Sequence, residues 1–122
     1  MSECCSKSEG ETLVFTCAGA AYSGQAANRA GVDLMKEGAG ALFCAAAVAA
    51  GRPDKVDRTR KAARRVVIDG CDDACARQIL EAAGISVDVH VDVTSLGIDK
   101  KPDTPHMLVD ARRVVAAVKE HL

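Results

Sequence analysis

Four short apolar segments alternate with stretches of helical spacing along this chain, and this alternation is the strongest constraint on its fold. The apolar segments, which favour β-strands, cover residues 13–16, 41–43, 65–68 and 85–93. Helical spacing covers residues 23–37, 54–64 and about 72–83, and a last helix follows residue 104. Strands that alternate with helices join through right-handed crossovers into a parallel sheet with helices on both faces. We therefore predict an α/β fold.

The predicted architecture is a small, four-stranded, mainly parallel sheet in three layers, of Rossmann-like or flavodoxin-like type. Valines alternate with polar residues over 85–93, which indicates a strand at the sheet edge with one buried face. The last helix is expected to have Thr104 as its N-cap, Pro105 as its first residue, and Leu108 and Leu122 in its apolar stripe. Residues 1–122 should form one domain, with 1–11 as a flexible N-terminal segment.

Charge and composition exclude several classes of function. The formal net charge is −1 and aromatic residues make up 2% of the chain. Nucleic-acid binders usually carry net positive charge, and single-strand binders also need stacking rings, so a nucleic-acid partner is not favoured. The longest apolar run, residues 39–50, is too short to cross a bilayer, and the N-terminus has no apolar signal segment. We expect a cytoplasmic protein without a membrane partner.

One segment is nevertheless strongly basic. Residues 52–65 carry seven Lys and Arg side chains against Asp54 and Asp57. Such a run usually forms a solvated helix face, and an acidic protein or RNA surface is the alternative partner.

Cysteines follow three of the four predicted strands, and they are the main functional signal. Cys17 and Cys44 come directly after the first and second strands, Cys71 follows the third, and Cys75 lies four positions later at a helix start. Without a secretion signal these thiols should be reduced, which favours metal binding or thiol chemistry. The carboxyl ends of parallel strands meet at one sheet edge, so the four thiols should come together there. Four thiolates at this edge suit a tetrahedral zinc site.

These motifs resemble the DGC domain family, which is named for its central tripeptide. The resemblance runs from Leu13 to about Lys101 and rests on Cys17-Ala18-Gly19, on the alanine-rich segment after Cys44, and on Asp69-Gly70-Cys71 followed by Cys75. It implies a zinc-binding protein whose chelating residues are Cys17, Cys44, Cys71 and Cys75. It implies no particular reaction or biological role, and an enzymatic activity is not favoured.

Other interpretations of the same edge stay open. Cys44 could be a small core residue of its alanine-rich run. Cys17 precedes a helix start whose amides favour a thiolate, so a thiol-dependent enzyme or sulfur or redox carrier could use Cys17 with Cys71 or Cys75. The loop after Cys17 is similar to that of low-molecular-weight tyrosine phosphatases, but it lacks the arginine that binds phosphate there. An iron–sulfur cluster is a less favoured occupant than zinc.

The remaining polar candidates are expected to play lesser parts. Asp69 should accept local amide hydrogen bonds and shape its turn rather than bind a soft metal. Cys4 and Cys5 have polar neighbours and are expected to be exposed thiols, with metal delivery as the alternative. The histidines are expected to be solvated surface groups: His90, His106 and His121.

Overall fold

The computed structural model describes residues 10–122 and contains an open, four-stranded sheet with parallel pairing throughout. The strands are β1 (Thr12–Thr16), β2 (Ala41–Leu42), β3 (Arg64–Asp69) and β4 (Val89–Asp92), in the order β2-β1-β3-β4. Over the described residues the α-helices are α1 (Tyr22–Lys36), α2 (Ala45–Ala49), α3 (Pro53–Lys61), α4 (Cys75–Ala82) and α5 (Met107–Lys119). The prediction of a parallel α/β fold is confirmed.

Helices cover both faces of the sheet, because the two central strands are apolar on both sides. On one face, Val14, Val66 and Ile68 pack against α1 and α5. On the other face, Leu13, Phe15 and Val67 pack in a second cluster with residues of α2 and α4. The three-layer arrangement leaves the loops at the carboxyl ends of the strands as the place where a site can form.

The edge strand is shorter than predicted. It lies at the sheet edge with Val89 and Val91 buried, as expected, but it begins at residue 89 rather than 85. The backbone N–H of Ile85 donates to the carbonyl of Leu80 at 2.9 Å, so this residue closes the end of α4 instead of pairing with β3. The alternation of apolar and polar residues over 85–93 could not show whether Ile85 bonds to α4 or to β3.

The last helix also differs from the prediction at both ends. It begins at Met107 with His106 in the N-cap position, so Thr104 and Pro105 lie before it. Leu108 is 56% exposed and Leu122 is 41% exposed, and neither belongs to the buried stripe. The stripe that packs in the core comprises Ala111, Val114, Val115 and Val118.

Arg58 and Arg65, two of the seven basic side chains of residues 52–65, bond within the fold. Arg58 makes two hydrogen bonds of 2.8 Å to the carboxylate of Glu11, which ties the residue before β1 to α3. Arg65 donates to the carbonyls of Arg60 and Ala62 at 3.1 Å and so closes the end of α3. These two guanidinium groups therefore bond to internal acceptors.

The predicted flexible segment falls largely outside the described part of the chain. Residues 1–9, which include Cys4 and Cys5, lie outside it. Within residues 10–122, no helix has the length and apolar character needed to cross a membrane.

Candidate metal centre

The candidate site lies at the carboxyl edge of the sheet, between β1 and β3. The strand order reverses direction here, since β2 lies on one side of this pair and β4 on the other. Loops that leave such a point in opposite directions open a crevice, the usual ligand site of open α/β sheets. Cys17 follows β1 and Cys71 lies two residues beyond β3. The N–H of Cys17 donates to the carbonyl of Ile68 at 3.2 Å and joins the loop after β1 to β3.

Glycines let these loops approach the start of α1 very closely. A Cβ atom on Gly70 would lie 2.6 Å from the Cα and N atoms of Gly24, and one on Gly24 would lie 2.7 Å from Gly19. No side chain would fit between these backbones. In this arrangement the Gly70 N–H donates to the Sγ atom of Cys17 at 3.2 Å. This hydrogen bond fixes the Cys17 sulfur against the loop that carries Cys71.

Cys17, Cys44 and Cys75 line one small cavity of ≈ 350 Å³ at this edge. Cys44 is the N-cap residue of α2 and Cys75 is the first residue of α4. Both are exposed, so the alternative that Cys44 is a buried core residue is wrong. Three of the four predicted ligands therefore face the same space.

Acidic side chains lie close to Cys71 and Cys75. The Sγ atom of Cys71 lies 3.7 Å from a carboxylate oxygen of Asp73. Partial removal from water raises the pKa of the Cys75 thiol, and the charges of Asp69, Asp73, Cys17 and Cys71 raise it further. Cys17 and Cys71 thus lie within electrostatic reach of Cys75, and a bound cation would relieve the repulsion among their thiolates.

Two alanines beside these cysteines hold strained backbone. Ala18 has φ 47° and Ala74 has φ 52°, and within residues 10–122 no other non-glycine residue has positive φ. The left-handed region costs an L-residue about 1–2 kcal/mol. Such conformations concentrate at functional sites, where the surrounding structure maintains them. Here they are the direct neighbours of Cys17 and Cys75.

Asp69 connects the end of β3 to the start of α4. Its side chain is 1% exposed and accepts hydrogen bonds from the N–H groups of Ala76 at 2.8 Å and Arg77 at 3.2 Å. The prediction that Asp69 accepts nearby amide hydrogen bonds is confirmed, although the amides belong to α4 rather than to the turn itself. Asp69 thereby fixes the helix turn that begins with Cys75.

His90 is the functional candidate that sequence reasoning missed. The expectation of a solvated side chain is wrong, because its Nε2 atom lies 2.9 Å from Oδ2 of Asp69 and the side chain is 19% exposed. Its Nδ1 atom lies 3.5 Å from Nη1 of Arg77. The signal was its place on the polar face of β4, where parallel register pairs Val67 with His90 and Asp69 with Asp92. His106 and His121 are exposed, as expected.

The four cysteines of this edge do not form a closed ligand sphere in the described part of the chain. Within residues 10–122, no group of three or more His, Cys, Asp or Glu side chains meets the geometry for holding a metal ion. Cys44 and Cys75 are exposed, so their sulfurs can change rotamer without displacing packed atoms. An all-thiol donor set suits a soft or borderline ion such as zinc.

Comparison with known proteins assigns most of this chain to one family model. The family model of the DGC domain matches residues 13–118, from β1 nearly to the end of α5. The match reaches further than Lys101, where the motif resemblance ends. Searches of curated proteins and of solved structures gave no significant match. Because the matched region covers nearly the whole chain and includes all four cysteines of the site, this protein belongs to the DGC domain family.

Proposed function

We propose that this protein binds one zinc ion through the thiolates of Cys17, Cys44, Cys71 and Cys75. The observation that carries this proposal is the cavity of ≈ 350 Å³ shared by Cys17, Cys44 and Cys75, next to the loop of Cys71. Membership of a family to which metal binding is attributed supports the same function. Zinc prefers four tetrahedral ligands, and four thiolates make a closed site of the structural type.

Each proposed ligand comes from a different part of the carboxyl edge. Cys17 and Cys71 belong to the loops after β1 and β3, whereas Cys44 and Cys75 stand at the starts of α2 and α4. A bound zinc ion would supply positive charge and a cross-link between these segments, without redox chemistry. A cytoplasmic location, where thiols stay reduced, would suit such a site.

Metal analysis of protein purified without oxygen tests this proposal. We expect about one zinc ion per chain, and much weaker binding in each of Cys17→Ser, Cys44→Ser, Cys71→Ser and Cys75→Ser. Cys4→Ser and Cys5→Ser are the matched controls and should bind as tightly as the wild type. If the protein instead contains iron and acid-labile sulfide and has a visible absorption band, the occupant of the site is an iron–sulfur cluster and not zinc. Unchanged affinity in Cys44→Ser would remove that residue from the ligand set.

A larger groove favours a second candidate function. It has a volume of ≈ 940 Å³, lies between α2, α3 and α4, and shares Cys75 with the smaller cavity. This volume falls in the range of small-molecule sites. The candidate is a thiol-dependent enzyme or sulfur or redox carrier that uses Cys17 with Cys71 or Cys75, and of these three cysteines Cys75 lines the groove.

Alkylation of the freshly purified, metal-loaded protein separates the two functions. A closed four-thiolate zinc site protects all of its cysteines, so only Cys4 and Cys5 should be labelled. A thiol enzyme must keep its nucleophile accessible. Rapid labelling of Cys17 would therefore favour the enzyme, and its protection would favour the zinc site.

A further inference from the structure

Helix α4 starts at Cys75 without a cap from the residue before it. Ala74 occupies the N-cap position in the left-handed conformation and has no side-chain acceptor. The first N–H groups of a helix have no partner within the helix. Asp69 accepts two of them, from Ala76 and Arg77, although it lies at the end of β3. The orientation of this carboxylate therefore fixes the helix turn that presents the Cys75 sulfur.

His90 in turn holds the carboxylate of Asp69 through a hydrogen bond. The distance of 2.9 Å between its Nε2 atom and Oδ2 of Asp69 is that of a hydrogen bond, in which the ring N–H donates to the carboxylate. The Nδ1 atom faces the guanidinium of Arg77 at 3.5 Å. Both ring nitrogens have a partner, so His90 is engaged in orienting the site and is not free to bind the metal.

From these contacts we propose that His90 is a positioning residue of the metal centre, which acts on Cys75 through Asp69 and the first turn of α4. This inference rests on the proposed function, since it needs a metal at the four cysteines. Partners in the outer shell of a metal site orient the ligands, and their loss typically weakens metal binding ~10- to 100-fold.

Two amide variants test the proposal. In His90→Gln the side-chain amide reaches the position of Nε2, whereas in His90→Asn it reaches only the position of Nδ1. Both side chains are polar and suit a partly exposed place on an edge strand, so both variants should keep the far-UV circular dichroism of the wild type. We expect His90→Asn to weaken Zn²⁺ binding ~10-fold or more and His90→Gln to restore most of the affinity.

The absorption spectrum of the Co²⁺-loaded protein gives a readout that a change of stability alone would not move. We expect His90→Asn to shift the sulfur-to-cobalt charge-transfer and d–d bands, and His90→Gln to keep them. His106→Asn is the control, since His106 is exposed at the start of α5. It should match the wild type in both affinity and spectrum.

The outcomes separate this inference from the proposed function. Equal Zn²⁺ affinity and an unchanged Co²⁺ spectrum in His90→Asn would overturn the role of His90, and so would equal losses in both amide variants. If His90→Asn does not fold, His90→Gln decides: wild-type affinity supports the proposal and a tenfold loss overturns it. A wild-type protein that binds neither Zn²⁺ nor Co²⁺ would instead overturn the metal site itself.

Discussion

Replacing Gly70 by alanine should destabilise the protein strongly, because the new methyl group has no space. It would lie 2.6 Å from the Cα and N atoms of Gly24 and 2.9 Å from the carbonyl carbon of Ser23. All three are backbone atoms of α1, which cannot move as a flexible side chain would. Gly70 does not have positive φ, so alanine suffers no conformational penalty there and the cost is steric.

The expected magnitude follows from this geometry. Overpacking of a well-packed site costs about 1–3 kcal/mol, and a clash with backbone on this scale belongs at the upper end, at about 3 kcal/mol. For a domain of this size, such a loss lowers Tm by about 10 °C. The shift of α1 away from the loop should also lengthen the hydrogen bond from Gly70 to Cys17, so zinc affinity should fall as well.

Urea unfolding of the metal-free, reduced protein measures the loss of stability directly. Gly38→Ala is the matched control, since Gly38 has φ +78° and open space around its Cβ position. Its cost is conformational alone, about 1 kcal/mol. A loss in Gly70→Ala no larger than the loss in Gly38→Ala would refute the steric argument.

Three further predictions concern the rest of the fold. Asp69→Ala should cost about 2 kcal/mol of stability in urea unfolding, because two amides of α4 lose their acceptor, whereas exposed Asp103→Ala should cost nearly nothing. Chelation of the metal should leave most of the far-UV circular dichroism, because two apolar clusters hold the sheet and its helices, and extensive unfolding would contradict this. Burial and the hydrogen bond to Asp110 raise the pKa of Tyr22, the sole tyrosine, from 10.0 to about 12. Its stabilising contribution should be complete below pH 10 and lost as the pH rises towards 12; phenolate absorbance with a midpoint near 10 in the folded protein would contradict this.

The central part of the fold was predictable because its signals are local. The apolar segments of β1 and β3 and the spacing of α1 each lie within a few residues of the observed bounds. Placement of Cys17 and Cys71 at one edge then follows from parallel pairing, which any α/β arrangement of these strands imposes.

The parts that were missed depend on contacts between distant residues. The pairing of His90 with Asp69 needs the register between β3 and β4, which no single segment encodes. The late start of β4 depends on Ile85 bonding to α4 rather than to the sheet. The left-handed conformation of Ala74 could not be expected either, because alanine has no intrinsic preference for it.

The tripeptide Asp69-Gly70-Cys71 has a separate structural task at each position. Asp69 caps α4 and so places Cys75, Gly70 packs on α1 and donates to the sulfur of Cys17, and Cys71 contributes its own thiol. The end of β3 and the turn after it thus position Cys75 and Cys17 and contain the third proposed ligand, Cys71. Cys44 alone stands outside this turn, at the start of α2. A side chain at Gly70 would displace α1. The geometry of this segment therefore favours an aspartate at position 69 and a glycine at position 70, next to the proposed ligand Cys71.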